Sequence, residues 1–371
     1  MNDKQSNSHE INKDQRNRSN APLDEQRKIV PSNPSRWKKL LKLFFLLFLI
    51  LGSVIIIRQQ QSMPYQHNSG QVFGTTYNIT YQSNKDLHKE ILAQLHKVDM
   101  TFSTFEEQSI ISKINRNIPV QLNQMFVEVF DLAKQVSKDT DGAFDITVAP
   151  LVNVWGFGFK SGIQPTKHTI DSLLTLTGYD KVAVMGSTVK KQDSRIMLDC
   201  SGIAKGYGCD AVAQLLRSKD VKNFMVEIGG EVITSGNSDK RLPWKIGVTK
   251  PTDDSTQTNN ELQTVLNVTD KAMATSGNYR RFYYKNGKKY AHTIDPKTGY
   301  PVQHNILSAT VLANTCAKAD AYATSFMVLG LDKTKEVLQR HPDLMVYLIY
   351  TNADGRYDVW FSPSLKNKIS K

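Results

Sequence analysis

Three cysteines in 371 residues are too few, and too odd in number, for a disulfide framework. Cys200, Cys209 and Cys316 have no paired spacing and sit among apolar or small residues, so each reads as a buried thiol. No C-x-x-C or H-E-x-x-H run is present, which removes the usual zinc patterns. The chain also lacks a G-x-x-x-x-G-K-[ST] loop, a G-x-G-x-x-G fingerprint and a G-x-S-x-G elbow. P-loop, dinucleotide-fold and serine-hydrolase chemistry therefore have no anchor here. There is no internal repeat, no nucleic-acid motif and no downstream Lys/Arg stripe interleaved with aromatics. Net charge is nevertheless +12. The basic residues crowd the N-terminal part, notably Arg36, Lys38, Lys39 and Lys42. That placement points to membrane topology, not to nucleic acid.

Residues 1–38 are rich in Asn, Gln, Lys, Asp and Ser and are expected to be a disordered tail. Leu40 to Ile57 is apolar apart from Lys42, Gly52 and Ser53, which suits one membrane helix at roughly 20 residues per span. A cleavable signal peptide is the alternative. The long polar lead, and Val54-Ile55-Ile56-Ile57-Arg58 without a small-x-small site, favour an uncleaved anchor over residues 39–58. No cysteine follows the apolar run, which argues against a lipoprotein anchor. Basic residues precede the span, so the tail is expected in the cytoplasm and residues 59–371 outside the membrane. Residues 59–70 read as a polar linker and 71–365 as the folded body.

With 40% hydrophobic residues the chain can build one large or two medium cores. Alternation predicts strands at Gln71–Tyr81, Lys181–Met185, Thr188–Leu198, Phe224–Ile228, Trp244–Val248, Thr264–Thr269, Arg281–Tyr284, Ser308–Leu312, Met345–Tyr350 and Tyr357–Phe361. Helical spacing marks Lys85–Phe102, Phe126–Ser137, Gly202–Arg217, Cys316–Leu329 and Asp332–Arg340. Leu151–Phe159 reads as a loop, and Thr252–Asn260 as a solvated insertion. Strands in adjacent runs favour an α+β fold over a doubly wound sheet.

Chemistry concentrates in a few segments. His292 stands just before Asp295-Pro296-Lys297-Thr298-Gly299, a turn in which Pro presets φ and Gly accepts a positive φ. A His held beside so fixed a turn suits a general base, although an ordinary hairpin with an incidental His has the same pattern. Asp320 and Thr324 are i and i+4 on a helix, in surroundings dominated by Ala, Tyr, Phe, Met and Val. A carboxylate there is expensive unless paired or bound to a cation, and Asp with a Thr hydroxyl is hard-oxygen chemistry suited to Mg²⁺. A carboxylate bonded to backbone amides is the alternative. Asp145 and Asp199 raise the same question. The segment Asp199 to Tyr207 ends a strand, passes Gly202 and opens a helix, a weak anion-site signal. Glu227-Ile228-Gly229-Gly230-Glu231 reads as a turn after a strand.

In order, these segments resemble the ApbE family of FAD:protein FMN transferases. The matching runs are G-T-x-Y from Gly74, S-T-x-x-x-x-S from Ser103, and G-A-F-D-I-T-V-x-P-L-V-x-x-W-G-F-G from Gly142. They continue with D-x-S-G-I-A-K-G-Y from Asp199, the Gly229-Gly230 pair and T-S-G-x-Y-R from Thr275. H-x-I-D-P-x-T-G-x-P from His292 and A-D-A-x-A-T from Ala319 complete the set, which covers about residues 70 to 365. The resemblance implies an ApbE-like, T-fold-like α+β body of mixed sheets with flanking helices, preceded by one transmembrane helix. It implies Mg²⁺ as cofactor, FAD as substrate, and Thr or Ser acceptors on flavoprotein subunits of membrane redox complexes. By the same resemblance Phe73, Phe105, Ala143, Phe144, Asp145, Asp199 and Lys205 would contact FAD. Gly202 (through its carbonyl), Asp320 and Thr324 would hold Mg²⁺, and His292 would be the catalytic base while also lying at the FAD. An FAD pyrophosphatase and a non-catalytic flavin-binding envelope protein remain open as alternatives.

Overall fold

The computed structural model describes residues 34–158, 165–251, 261–278, 282–285 and 288–370. Most of the 1–38 tail, Phe159, the Thr252–Asn260 insertion, Arg281, and Tyr279 and Arg280 of the T-S-G-x-Y-R run lie outside the described residues.

Helix α1 (Pro34–Ser62) is a unit by itself. Phe44, Phe45, Phe48 and Ile56 are all exposed, so the helix is apolar all round and has no polar face to turn toward water. It is the one helix among the described residues long and apolar enough to cross a membrane. Its 23 residues from Arg36 to Arg58 span about 35 Å at 1.5 Å each.

The second unit starts at Met63. Its centre is an eight-stranded sheet in the order β1-β2-β5-β6-β9-β12-β13-β14. These strands are β1 (Tyr65–Val72), β2 (Thr75–Gln82), β5 (Phe224–Ile228), β6 (Glu231–Ser235), β9 (Ala272–Gly277), β12 (Ile306–Ala313), β13 (Met345–Thr351) and β14 (Tyr357–Phe361). Every neighbouring pair in it is antiparallel. Three hairpins accompany the sheet: β3 (Val182–Met185) with β4 (Thr188–Lys191), β7 (Trp244–Thr249) with β8 (Leu262–Val268), and β10 (Phe282–Lys285) with β11 (Lys288–Ala291).

Helices α2 (His88–Phe102), α3 (Ile110–Asn115), α4 (Gln124–Asp139), α5 (Ala149–Val154), α6 (Lys167–Leu174), α7 (Ala204–Ser218) and α8 (Cys316–Arg340) complete the unit. The α+β expectation holds.

Both faces of the central strands are buried, and alternate residues serve each face. On β13, Val346 and Leu348 join the helix-side core with Ala321 and Phe326 of α8. Tyr347 and Ile349 pack instead with Trp244, Val248 and Leu266 of the β7–β8 hairpin. The α2 stripe Ile91, Leu95, Val98 and Phe102 follows the helical period and is buried throughout. All three cysteines are buried free thiols, as expected.

Several boundaries differ from the sequence reading. The run Gln71–Tyr81 is not one strand: Phe73 and Gly74 form a two-residue turn at φ 52° and 71°, and β1 reaches back to Tyr65. The sheet thus starts inside the stretch read as linker. Such a primed turn matches the strand twist but places an aromatic residue in left-handed backbone, a strain of order 1–3 kcal/mol. Leu151–Val154 is helical, with Pro150 in the first turn of α5. The predicted strand from Thr188 stops at Lys191. Helix α8 breaks at Gly330 (φ 77°), between the two helices read from the sequence.

Candidate active site

The site grows around the junction of α7 and α8, two helices that approach very closely. A Cβ on Gly206 would lie 2.4 Å from the Cys316 carbonyl oxygen, so only glycine permits the contact. The helices cap each other. Asp320 Oδ2 on α8 accepts the Gly206 N–H at 3.1 Å, in the first turn of α7. Asp210 on α7 accepts the Cys316 and Ala317 N–H groups at 2.8 Å each, at the start of α8. Each carboxylate thus satisfies amides that a helix start leaves open. Burial nevertheless dominates both: Asp320 is pushed above the usual carboxylate range, and Asp210 up to about 6.

Gly202 lies in the turn before α7. A Cβ there would stand 3.1 Å from Thr324 Oγ1 and 3.3 Å from the Phe144 ring. Three residues named from three separate motifs therefore meet. The Ser276 hydroxyl, at the end of β9, lies 3.2 Å from Thr324 Oγ1 and joins the T-S-G run to the same spot.

The 140–148 segment is built from backbone turns. Gly142 adopts φ 75° and donates to the Ser137 carbonyl at 2.7 Å. Asp145 caps a short 3-10 turn by accepting from the Thr147 N–H and hydroxyl at 2.8 and 2.6 Å. Burial raises its pKa. Ala143 and Phe144 are buried. The Asp199 N–H donates to the Ile146 carbonyl at 2.7 Å, while its carboxylate holds the Ser201 N–H at 2.7 Å. Asp145 and Asp199 thereby flank one junction.

Lys205 turns its ammonium to Glu231 Oε2 at 2.6 Å. Glu231 is almost wholly buried, and that oxygen has no well-aligned hydrogen-bond donor. Burial opposes the Lys205 charge, but Glu231 and Asp320 outweigh it and hold its pKa above the ordinary lysine value. Burial raises the Glu231 carboxyl. The sequence shows Glu231 only as the end of the Glu227–Glu231 turn and gives it no role of its own. Its signal was a carboxylate opening the apolar strand Glu231-Val232-Ile233.

His292 follows β11 and is half-buried, with the Phe157 ring edge-on at 6.5 Å. The turn beside it is firmly held. Asp295 accepts the Gly299 N–H through its carbonyl at 2.8 Å and the Lys297 N–H through Oδ1 at 2.9 Å. Trp155 Nε1 donates to the Gly299 carbonyl at 2.7 Å. Lys297 pairs with Asp141, tying the turn to the 140–148 segment. Thr293 donates to the Asn278 side-chain carbonyl at 2.7 Å, two residues past Ser276. His292 thus stands on a frame bonded to both halves of the site.

Phe73 packs behind α7: a Cβ on Gly208 would be 2.8 Å from its ring. Phe105 is not gathered in; its ring is 78% exposed on the loop that Ser109 pins through the Ser103 carbonyl at 2.6 Å. A separate cleft of about 240 Å³, lined by Met225, Glu227, Lys245 and Thr275 among others, opens between the sheet and the β7–β8 hairpin. None of the nominated residues lines it.

The profile of the ApbE family matches residues 73–348. The chain belongs to the ApbE family. It is 38% identical over 304 residues to the FAD:protein FMN transferase of Haemophilus influenzae, covering 77% of this chain and 87% of that one. Identity to the Vibrio cholerae FAD:protein FMN transferase is 35% over 333 residues, with 86% and 98% covered. The solved flavin transferase ApbE from Vibrio cholerae superposes with TM-score 0.75 at 34% identity, covering 82% of this chain and 99% of that structure. In this ApbE-family fold the runs from Gly142, Asp199, Thr275 and Ala319 meet at the α7–α8 junction.

The donors also fit a hard divalent cation. Among the described residues no group of three or more His, Cys, Asp or Glu side chains forms a metal cage. Asp320, the Thr324 hydroxyl and the Gly202 backbone instead offer few, oxygen-only ligands. Mg²⁺ is commonly held that way, by one or two carboxylates plus substrate phosphates. Two carboxylates, Asp320 and Glu231, stand against one ammonium, Lys205, and burial of that formal excess favours a bound cation or proton.

Proposed function

We propose that the chain is an Mg²⁺-dependent FAD:protein FMN transferase. It cleaves FAD, attaches FMN through a phosphodiester to a Thr or Ser hydroxyl of a target redox protein outside the cytoplasmic membrane, and releases AMP. One observation carries the reading: Gly202, Thr324 and Phe144, from three distant motifs, converge beside the Asp320–Gly206 bond. Names of the relatives support the flavin chemistry.

When bound, Mg²⁺ supplies charge neutralisation on the pyrophosphate, the larger part of what phosphoryl transfer needs. Asp320, Thr324 and the Gly202 carbonyl would hold it. Lys205 sits at the start of α7 and offers an ammonium to phosphate oxygens. The backbone at Ala143 and Phe144, with Asp145 and Asp199, orients FAD, and Phe73 and Phe105 take the flavin. His292 accepts the proton of the acceptor hydroxyl, a contribution of about 10²–10⁴-fold. Helix α1 is the single-pass anchor, with the body on the extracytoplasmic side.

The test incubates the protein with FAD, Mg²⁺ and a candidate flavoprotein subunit, then weighs the subunit by mass spectrometry. A mass gain of one FMN with release of AMP is expected. Free FMN and AMP beside an unmodified subunit would identify an FAD pyrophosphatase instead.

A further inference from the structure

Beside Asp320, the buried Glu231 pairs with Lys205, whose side chain is 33% exposed. Glu231 opens β6 directly after the Gly229-Gly230 turn, where Gly229 (φ 62°) and Gly230 (φ 100°) both need left-handed backbone. Its strand neighbours Val232 and Ile233 are core residues, and its side chain is 3% exposed. Glu231 Oε1 and Oε2 are therefore fixed by the fold, not by solvent. Lys205 reaches this carboxylate at 2.6 Å from the first turn of α7. Asp320 bonds the very next residue, Gly206. The ammonium touches Glu231 and also feels the field of Asp320, and the formal charges of the three groups sum to −1.

We infer that Glu231 is a positioning residue that keeps Lys205 from neutralising Asp320, and so sets the charge that an incoming divalent cation meets. The inference rests on the Mg²⁺ reading of Asp320. With Glu231 ionised, the ammonium has a partner of its own and the site retains one negative charge for the metal. With Glu231 made neutral, the ammonium and Asp320 cancel. Neutralising Lys205 as well returns the net charge to −1, and removing Lys205 alone leaves −2. Charge in a buried site dominates cation affinity, so the expected order is Lys205→Met tightest, wild type and the double variant alike, and Glu231→Gln weakest.

The experiment titrates Mg²⁺ alone, calorimetrically, into the full chain and its variants. Glu231→Gln is expected to weaken Mg²⁺ by about 10- to 100-fold, the usual effect of losing a residue behind a metal ligand. Glu231→Gln with Lys205→Met is expected to recover wild-type affinity, which a merely structural Glu231 would not allow. Wild-type affinity in Glu231→Gln, or a double variant as weak as Glu231→Gln, overturns the inference. If Glu231→Gln does not fold, Lys205→Met decides: tighter binding supports the inference, weaker binding overturns it. Asp320→Asn is the control. Loss of Mg²⁺ binding there upholds the metal reading independently, whereas unchanged binding overturns that reading and this inference with it.

Discussion

The Gly206 N–H donates to Asp320 Oδ2 at 3.1 Å, and through it α8 caps α7 while Asp210 of α7 caps α8. The carboxylate proposed to hold the metal therefore also holds the helix pair. Asp320→Asn keeps an acceptor for Gly206 and removes a buried charge, so in the absence of Mg²⁺ it should be at least as stable as wild type. Asp320→Ala leaves the amide orphaned and should fall about 1–3 kcal/mol below the Asn variant. Urea unfolding of both variants with chelator present measures the difference. Equal stability of the two would show that the Gly206 bond contributes nothing.

Asp210 predicts a pH dependence. Its folded pKa is raised to about 6 by burial, above the unfolded value of about 4. The folded state then binds the proton more tightly. Its contribution to stability is fully present below about pH 4 and is lost as pH rises through about 6, by at most about 3 kcal/mol. Asp210→Asn cannot titrate and should flatten this part of the stability profile. Denaturant midpoints across that range check it, and an unchanged slope in the variant would assign the effect elsewhere.

The body should not need α1. The sheet begins at Tyr65 and Gln82 bonds the Met63 carbonyl at 2.9 Å. A chain starting at Met63 should stay in the supernatant after ultracentrifugation with vesicles, and one starting near residue 71 should be destabilised by loss of β1. Sedimentation of the Met63 chain with membranes would reveal a second membrane-binding surface.

For His292, the rigid Asp295–Gly299 turn and the Thr293–Asn278 bond fix the backbone independently of the imidazole. His292→Ala should leave FAD affinity nearly unchanged and slow FMN transfer by about 10²–10⁴-fold. Raising the pH should partly rescue it. A large loss of FAD affinity with normal turnover at saturation would make His292 a binding residue only.

What the sequence disclosed was mainly what local chemistry decides. The α2 stripe, the Asp295–Gly299 turn and the α8 break at Gly330 are set by nearby residues, and all were read. Strand β9 was missed because Ala272-Met273-Ala274-Thr275-Ser276-Gly277 has little β-propensity; its place between β6 and β12 makes it a strand. The Phe73-Gly74 turn was missed because an aromatic residue seldom takes positive φ. Asp210 and Glu231 escaped for another reason. Their roles depend on partners far along the chain: Cys316 lies 106 residues from Asp210, and Lys205 comes from a different element than Glu231. Asp320 and Thr324 were nominated by their spacing, yet the meeting of Thr324 with Gly202 is a product of tertiary packing.

The most direct test of the α7–α8 junction as the transfer centre is the mass of an acceptor subunit after incubation with FAD and Mg²⁺. Wild type should add one FMN, and Asp320→Asn, folded and stable, should add none under the same conditions. An acceptor flavinylated by Asp320→Asn at the wild-type rate would place the metal, and the chemistry, elsewhere.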